Sequence, residues 1–162
     1  MADQAARLAH IALVGEALTR LSPIIEADRA QAVADLQAEN HFAPVGLAAG
    51  PYALTISIHE GRLVFEITSG KDSPNQGLER SIVLALGPFR GLIKDYQMLV
   101  DSYIKAVEEG REARIQAIDM GRRGLHNEGA ALMTERLAGK VEIDFETARR
   151  LFTLVCVLHQ RI

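Results

Sequence analysis

Hydrophobic and polar residues alternate in three successive segments near the middle of the chain, which is the period of a half-buried β-strand. Glu60 and Gly61 separate the first two segments as a tight turn, and a loop from Ser69 to Gly77 precedes the third. The alternating apolar positions are Leu54, Ile56 and Ile58, then Leu63, Phe65 and Ile67, then Ile82, Leu84 and Leu86. The pattern predicts a three-stranded meander with one apolar face and one partly solvated face.

The chain before the meander predicts one strand and one helix. The short apolar segment Arg7 to Val14 ends at Gly15 and is typical of a strand. Ser22 offers an N-cap oxygen for a helix from Pro23 to Glu39, because proline suits the first helical position.

The period becomes helical from Pro88 onward. Apolar residues spaced three and four apart predict a long helix that ends at Gly110, and a second amphipathic helix from about Ala113 to Ala138. A last helix begins at Asp144 as N-cap and continues to the end of the sequence.

The last helix is apolar over more than half of its circumference, so it has two sides to bury. It is either central among the C-terminal helices or shared between subunits. The second alternative predicts self-association through the helix Phe145 to His159. We therefore expect a single α+β domain over residues 1–162. It has an antiparallel sheet of about four strands, one N-terminal helix and a helical C-terminal half.

Composition narrows the class of protein. With 162 residues, 48% hydrophobic and 24% charged, the chain can form one folded domain, and its net charge of −3 gives no general attraction to nucleic acid or membranes. Cys156 is the only cysteine, which excludes an intrachain disulfide and favours a buried thiol. The sequence shows neither a signal peptide nor a membrane-spanning segment, so it predicts a cytoplasmic protein.

The segment Gly121 to Gly129 is the anomaly in this pattern, because it places three glycines inside a predicted helix. Each costs about 1 kcal/mol relative to alanine in a helix interior. If the helix is continuous, Arg122 falls in its apolar stripe and His126 borders it. Arg122 then needs a carboxylate, a chain end or a bound anion nearby. Glu128 points elsewhere.

Asp119 and Arg123 lie one turn apart in this continuous helix and predict a surface ion pair.

The alternative interpretation breaks the helix at this segment. Gly121 would cap the first part, and Asn127 would begin a new helix with Glu128 in its first turn. The amides of the new N-terminus, with Arg122, Arg123 and His126, would then form a small anion site. Both interpretations predict an anionic partner, which is either a residue of the chain or a ligand.

Other site chemistry finds little support in the sequence. No metal site or cofactor is predicted, since the five histidines show no two-ligand spacing and only one cysteine is present. No nucleophile motif or phosphate-binding loop occurs. The arginine doublets Arg122–Arg123 and Arg149–Arg150 are typical of solvated faces, and nucleic acid is disfavoured. The histidines are His10, His41, His59, His126 and His159.

Three segments resemble uncharacterised protein family 0262. They are residues 117–129, residues 144–154 and the turn at residues 42–46. The resemblance implies a single-domain bacterial protein of alphaproteobacterial type, supports a cytoplasmic location, and implies no activity and no catalytic residue.

The function predicted first is a non-enzymatic cytoplasmic binding or regulatory protein that self-associates and recognises an unknown protein partner around Arg122 to Glu128. One alternative is a small enzyme or anion-binding domain in which Arg122 holds an anion, His126 acts as acid or base and Glu128 orients it. Another is an RNA- or ribosome-associated protein that binds through the arginine doublets.

Overall fold

Ten regular elements and three short 3-10 turns make up the described part of the chain. The computed structural model describes residues 4–69 and 78–160 of the chain. The strands are β1 (Leu8–Val14), β2 (Phe42–Pro44), β3 (Tyr52–His59), β4 (Arg62–Ser69), β5 (Leu78–Ala85) and β6 (Val141–Ile143). The helices are α1 (Pro23–Ala38), α2 (Arg90–Glu108), α3 (Glu112–Leu137) and α4 (Phe145–Leu158). The predicted α+β class is confirmed.

The main sheet has the strand order β1-β3-β4-β5. Strands β3, β4 and β5 form the predicted antiparallel meander, with Ile56 opposite Phe65 and Phe65 opposite Ile82. Strand β1 pairs in parallel with β3, so the expectation of an entirely antiparallel sheet was wrong for this strand. The reason is that α1 and the segment after it carry the chain back across the sheet, as parallel neighbours require. Residues 70–77 of the predicted loop lie outside the described residues.

One face of the sheet is buried and the other is partly open, as the alternation predicts. Leu54, Ile56 and Phe65 are almost fully buried beneath the helices, whereas Val83 on the opposite face is 51% exposed. The helices therefore cover a single side of the sheet, and the cleft described below lies within that helical layer.

Helix starts follow the predicted caps. The Ser22 hydroxyl accepts a hydrogen bond from the Ile25 amide at 3.4 Å, and the Asp144 carboxylate accepts one from the Thr147 amide at 2.8 Å. Helix α1 begins at Pro23 as predicted, and α3 lies within one residue of its predicted bounds at each end. The cap chemistry of α1 and α4 is local, which is why the sequence locates the starts of these two helices well.

Helix α4 is central, which is the first of the two predicted alternatives. Leu151, Phe152 and Val155 are completely buried, and the helix packs against α1, α3, β1 and β3. The two apolar sides are thus covered by the chain itself. Self-association through Phe145 to His159 stays a prediction, although the apolar surface that suggested it is already buried.

A small second sheet was missed. Strands β2 and β6 pair antiparallel, with Ala43 opposite Glu142. Each has three residues, too few to show a period of two, and β2 lies where only a turn was expected. The pairing ties the chain after α1 to the link between α3 and α4. Among the residues described, no helix is long and apolar enough to cross a membrane.

Candidate functional site

Helix α3 runs through the glycine-rich segment without interruption. Gly121 and Asn127 both lie inside the helix, so the alternative of a break with Gly121 as a cap and Asn127 as an N-cap was wrong. The continuous interpretation required a partner for Arg122, whose side chain is 22% exposed.

Asp28 of α1 is that partner. Arg122 Nη2 donates to both carboxylate oxygens of Asp28, at 2.9 and 3.0 Å. The Tyr96 hydroxyl of α2 donates to Asp28 Oδ2 at 2.6 Å. Burial, together with the neighbouring Asp28 charge, raises the pKa of Tyr96, so its hydroxyl stays protonated as a donor. Three helices therefore meet at one carboxylate. Of the two partners that the sequence left open for Arg122, a residue of the chain or a ligand, the structure shows a residue of the chain.

Asp119 also contacts Arg122, at 3.9 Å between Oδ1 and Nη1. The expected pair between Asp119 and Arg123 was wrong, because Arg122 takes this contact one residue earlier on the helix. Arg123 is exposed and makes no ion pair within the described parts of the chain.

His126 is buried between two aromatic rings. Its ring makes edge contacts with Tyr96 and Phe152, at centroid distances of 6.0 and 5.8 Å. Its Nδ1 lies 3.1 Å from the Thr153 hydroxyl, which itself donates to the Arg149 carbonyl at 3.2 Å. The hydroxyl proton is thus engaged, so His126 Nδ1–H is the donor to Thr153.

Burial, and then the charges of Arg149 and Arg122, lower the pKa of His126 to about 4. The imidazole is neutral at pH 7, so its contact with the Thr153 hydroxyl is a hydrogen bond between uncharged groups.

The second arginine doublet, Arg149–Arg150, lies close to the first doublet, Arg122–Arg123. Arg150 of α4 pairs with Asp35 at 3.3 Å and with Glu146 at 2.6 Å. Arg149 donates to the neutral Asn127 side chain at 3.4 Å. The two doublets appeared to be separate solvated faces in the sequence, and the packing of α3 on α4 brings them together.

Both arginine doublets line a cavity of about 280 Å³ between α1, α3 and α4, which we call the arginine cleft. Arg122 with Asp28 stands on one side and Arg150 with Asp35 on another, because Asp28 and Asp35 lie two turns apart on α1, about 10 Å. The remaining lining residues are Gln31, Ala32, Asp119, Arg123, His126, Arg149 and Thr153. Four arginines thus face three aspartates.

Asp28, Asp35 and Thr153 were missed as site residues by sequence reasoning, and the second doublet was considered only for RNA binding. The seven-residue spacing of Asp28 and Asp35 puts both carboxylates on one face of α1, and this was a usable signal. That they meet the arginines of α3 and α4 depends on how the helices pack, which no local pattern contains.

Glu128 is not part of the cleft. It lines a separate cavity of about 440 Å³ on the α2 side of α3, together with Asp95, Met98, Gly121 and Gly124. Of the candidate residues, the structure therefore brings Arg122, Arg123 and His126 together, with Asn127 at Arg149. Thr153, and not Glu128, lies beside His126, where the enzyme alternative needed the orienting carboxylate.

Gly129 has a packing role. A Cβ atom added there would lie 2.3 Å from Cγ and Cδ2 of Phe152, so α3 and α4 approach closely only because this residue has no side chain.

Other reactive groups offer little chemistry. Burial raises the pKa of the Cys156 thiol, which is completely buried and stays protonated. Within residues 4–69 and 78–160, no group of three histidines, cysteines or carboxylates is arranged to hold a metal ion.

Comparison with known proteins places the chain in one family. The model of the uncharacterised protein family UPF0262 matches residues 5–161. A UPF0262 protein of Granulibacter bethesdensis is 66% identical over 96% of this chain and 91% of its own length. One of Acidiphilium cryptum is 58% identical over 99% of both chains, and one of Rhodospirillum rubrum is 52% identical over 88% and 85%. No solved structure matches the chain.

The resemblance found in the three sequence segments is confirmed, and the relatives come from alphaproteobacteria. Their names state the family and no activity. The relatives therefore indicate no function, and any proposal depends on the site itself.

Proposed function

We propose that this chain, which belongs to the UPF0262 family, is a non-enzymatic binding or regulatory protein whose arginine cleft takes up a small anionic group. The observation that carries the proposal is the pair Arg123 and Arg149. Both line the cleft, and neither has a carboxylate partner among the residues described. Guanidinium groups are the preferred protein donors to carboxylates and phosphates.

The other two arginines hold the cleft together. Arg122 is occupied by Asp28, and Arg150 by Asp35 and Glu146. Because these ion pairs fix α1 against α3 and α4, the two remaining arginines stand on a rigid frame. At about 280 Å³ the cleft is slightly below the usual range for drug-sized ligands, so the ligand is compact.

Binding is better supported than catalysis. His126 is neutral, lies between two rings and already donates to Thr153. Its pKa of about 4 makes it a weak base near neutral pH. Glu128, which the enzyme alternative needs as the orienting carboxylate, lines the cavity on the other side of α3.

Nucleic acid is less well supported than a small anion. Although the two doublets converge, Asp28, Asp35 and Asp119 stand among them and would repel a run of phosphates. A compact anion can contact Arg123 and Arg149 without approaching all three aspartates.

Self-association and a cytoplasmic location are also part of the proposal. Light scattering at micromolar concentration tests the first, and a monomer would exclude self-association. Fractionation of the native cell tests the second.

Titration calorimetry with inorganic phosphate and with acetate tests the anion site. We expect binding by the unaltered protein, and at least tenfold weaker binding in Arg149→Gln and in Arg123→Gln, as loss of a charge-assisted donor pair predicts. Arg114→Gln is the matched control, since Arg114 is exposed on the same helix outside the cleft. Equal affinity in all variants, or no binding of either anion, would contradict the proposal.

Affinity purification from the native cell, with the unaltered protein and Arg149→Gln as baits, tests whether the anion belongs to a protein partner. A partner that both baits retain equally does not use the cleft.

A further inference from the structure

The carboxylate of Asp119 in the arginine cleft makes a single long ion contact within the described residues. Asp119 lines the cleft with its side chain 49% exposed, and its ion contact is the 3.9 Å approach to Arg122. Arg122 already binds Asp28 through two hydrogen bonds of 2.9 and 3.0 Å. Asp119 therefore adds a second, more distant negative charge to an arginine that is already neutralised.

The other two aspartates differ in this respect. Asp28 accepts hydrogen bonds from Arg122 and Tyr96, and Asp35 accepts one from Gln31 at 2.8 Å and pairs with Arg150. Both are satisfied within the chain. The charges left for a ligand are the guanidinium groups of Arg123 and Arg149 and the carboxylate of Asp119, two positive and one negative.

The spacing of these groups limits the ligand. Asp119 and Arg123 lie four residues apart on α3, so they stand on the same face of the helix with their backbones about 6 Å apart. A ligand that meets both must carry opposite charges separated by only a few atoms.

We infer that the arginine cleft binds a compact zwitterion, with its anionic group at Arg123 and Arg149 and its protonated amine at Asp119. The inference depends on the proposed anion site and adds to it the requirement for an amine. Small amino acids and amine-bearing phosphate monoesters have this chemistry and fit a cavity of about 280 Å³. A simple anion leaves Asp119 unused and is repelled by it.

Paired ligands that differ only in the amine provide the test. Phosphoethanolamine is compared with ethyl phosphate, and β-alanine with propionate, by titration calorimetry at pH 7. An exposed ion pair contributes up to about 1 kcal/mol, so the amine should tighten binding about three- to fivefold. Asp119→Asn should remove this preference and leave the affinity for ethyl phosphate equal or higher. Glu135→Gln, also exposed on α3 but outside the cleft, should keep the preference.

The outcomes separate the two proposals. If the amine-free anions bind through Arg149 but the amine adds nothing, or if Asp119→Asn keeps the preference, the zwitterion inference is overturned and the anion site stands. If none of the four ligands binds, both are overturned. Because Asp119 is half exposed, the variant should fold, and an unchanged thermal unfolding midpoint verifies this.

Discussion

The two sides of helix α3 carry similar residues in different surroundings. On the side toward α1 and α4, Arg122 and His126 are bonded to other elements and Gly129 touches Phe152. On the side toward α2, Gly121 and Gly124 line an open cavity. The glycines and charges that looked like one anomaly in the sequence thus belong to two environments. One is the arginine cleft with the close contact between α3 and α4, and the other is the cavity toward α2.

Substitution of Gly129 should produce the largest effect of the set. A methyl group there would lie 2.3 Å from Cγ and Cδ2 of the fully buried Phe152 ring, so the ring or α4 would have to shift to admit it. We expect Gly129→Ala to lower the free energy of unfolding by about 3 kcal/mol, as overpacking of a core does. Urea unfolding followed by circular dichroism measures it. A stability equal to that of the unaltered protein would mean that the two helices are not in this close contact.

Acidification should produce the second largest effect, because it protonates His126 on the side of α3 that faces α1 and α4. The pKa of His126 is lowered from 6.5 to about 4, so between these values the unfolded chain binds a proton that the folded chain does not. The contribution of neutral His126 to the free energy of unfolding is therefore fully present above about pH 6.5. It is lost as the pH falls toward 4, and the loss is at most about 3 kcal/mol.

His126→Gln tests the assignment of this pH dependence, since it keeps a donor for Thr153 but cannot titrate. Urea unfolding at pH 7 and at pH 4.5 should show a smaller loss of stability in this variant than in the unaltered protein. His59→Gln, at an exposed histidine, should keep the full loss. If His126→Gln also keeps it, another group is responsible.

Removal of the Asp28 charge should have an effect of about 2 kcal/mol. Asp28→Asn leaves the Arg122 guanidinium, 22% exposed, without its counter-charge in the helical layer. Combination with Arg122→Gln should cost less than the sum of the two single changes, because the double variant leaves no unpaired charge. Asp101→Asn, on the exposed face of α2, is the control. Strictly additive effects would mean that the pair is energetically independent.

Sequence reasoning succeeded where the signal was local. The period of two predicted the meander, and Ser22 and Asp144 predicted two helix starts. The position of Arg122 in an apolar stripe predicted an anionic partner, and the carboxylate of Asp28 is that partner. It failed where the outcome depends on packing between distant segments.

Asp28 lies 94 residues from Arg122, and nothing local connects them. Two further features could not be predicted for the same reason. They are the parallel pairing of β1 and the convergence of the two arginine doublets, and both depend on how the helices cross the sheet and one another.

Gly124 provides the smallest effect and the most direct contrast with Gly129. A Cβ atom at Gly124 would have nothing within 4 Å, so alanine adds helix propensity without a clash. We expect Gly124→Ala to raise the free energy of unfolding by about 1 kcal/mol, the opposite sign to Gly129→Ala in the same helix. The same urea unfolding experiment measures both. Destabilisation by Gly124→Ala would contradict the free space on the α2 side, and the contrast between the two sides of α3 would then no longer hold.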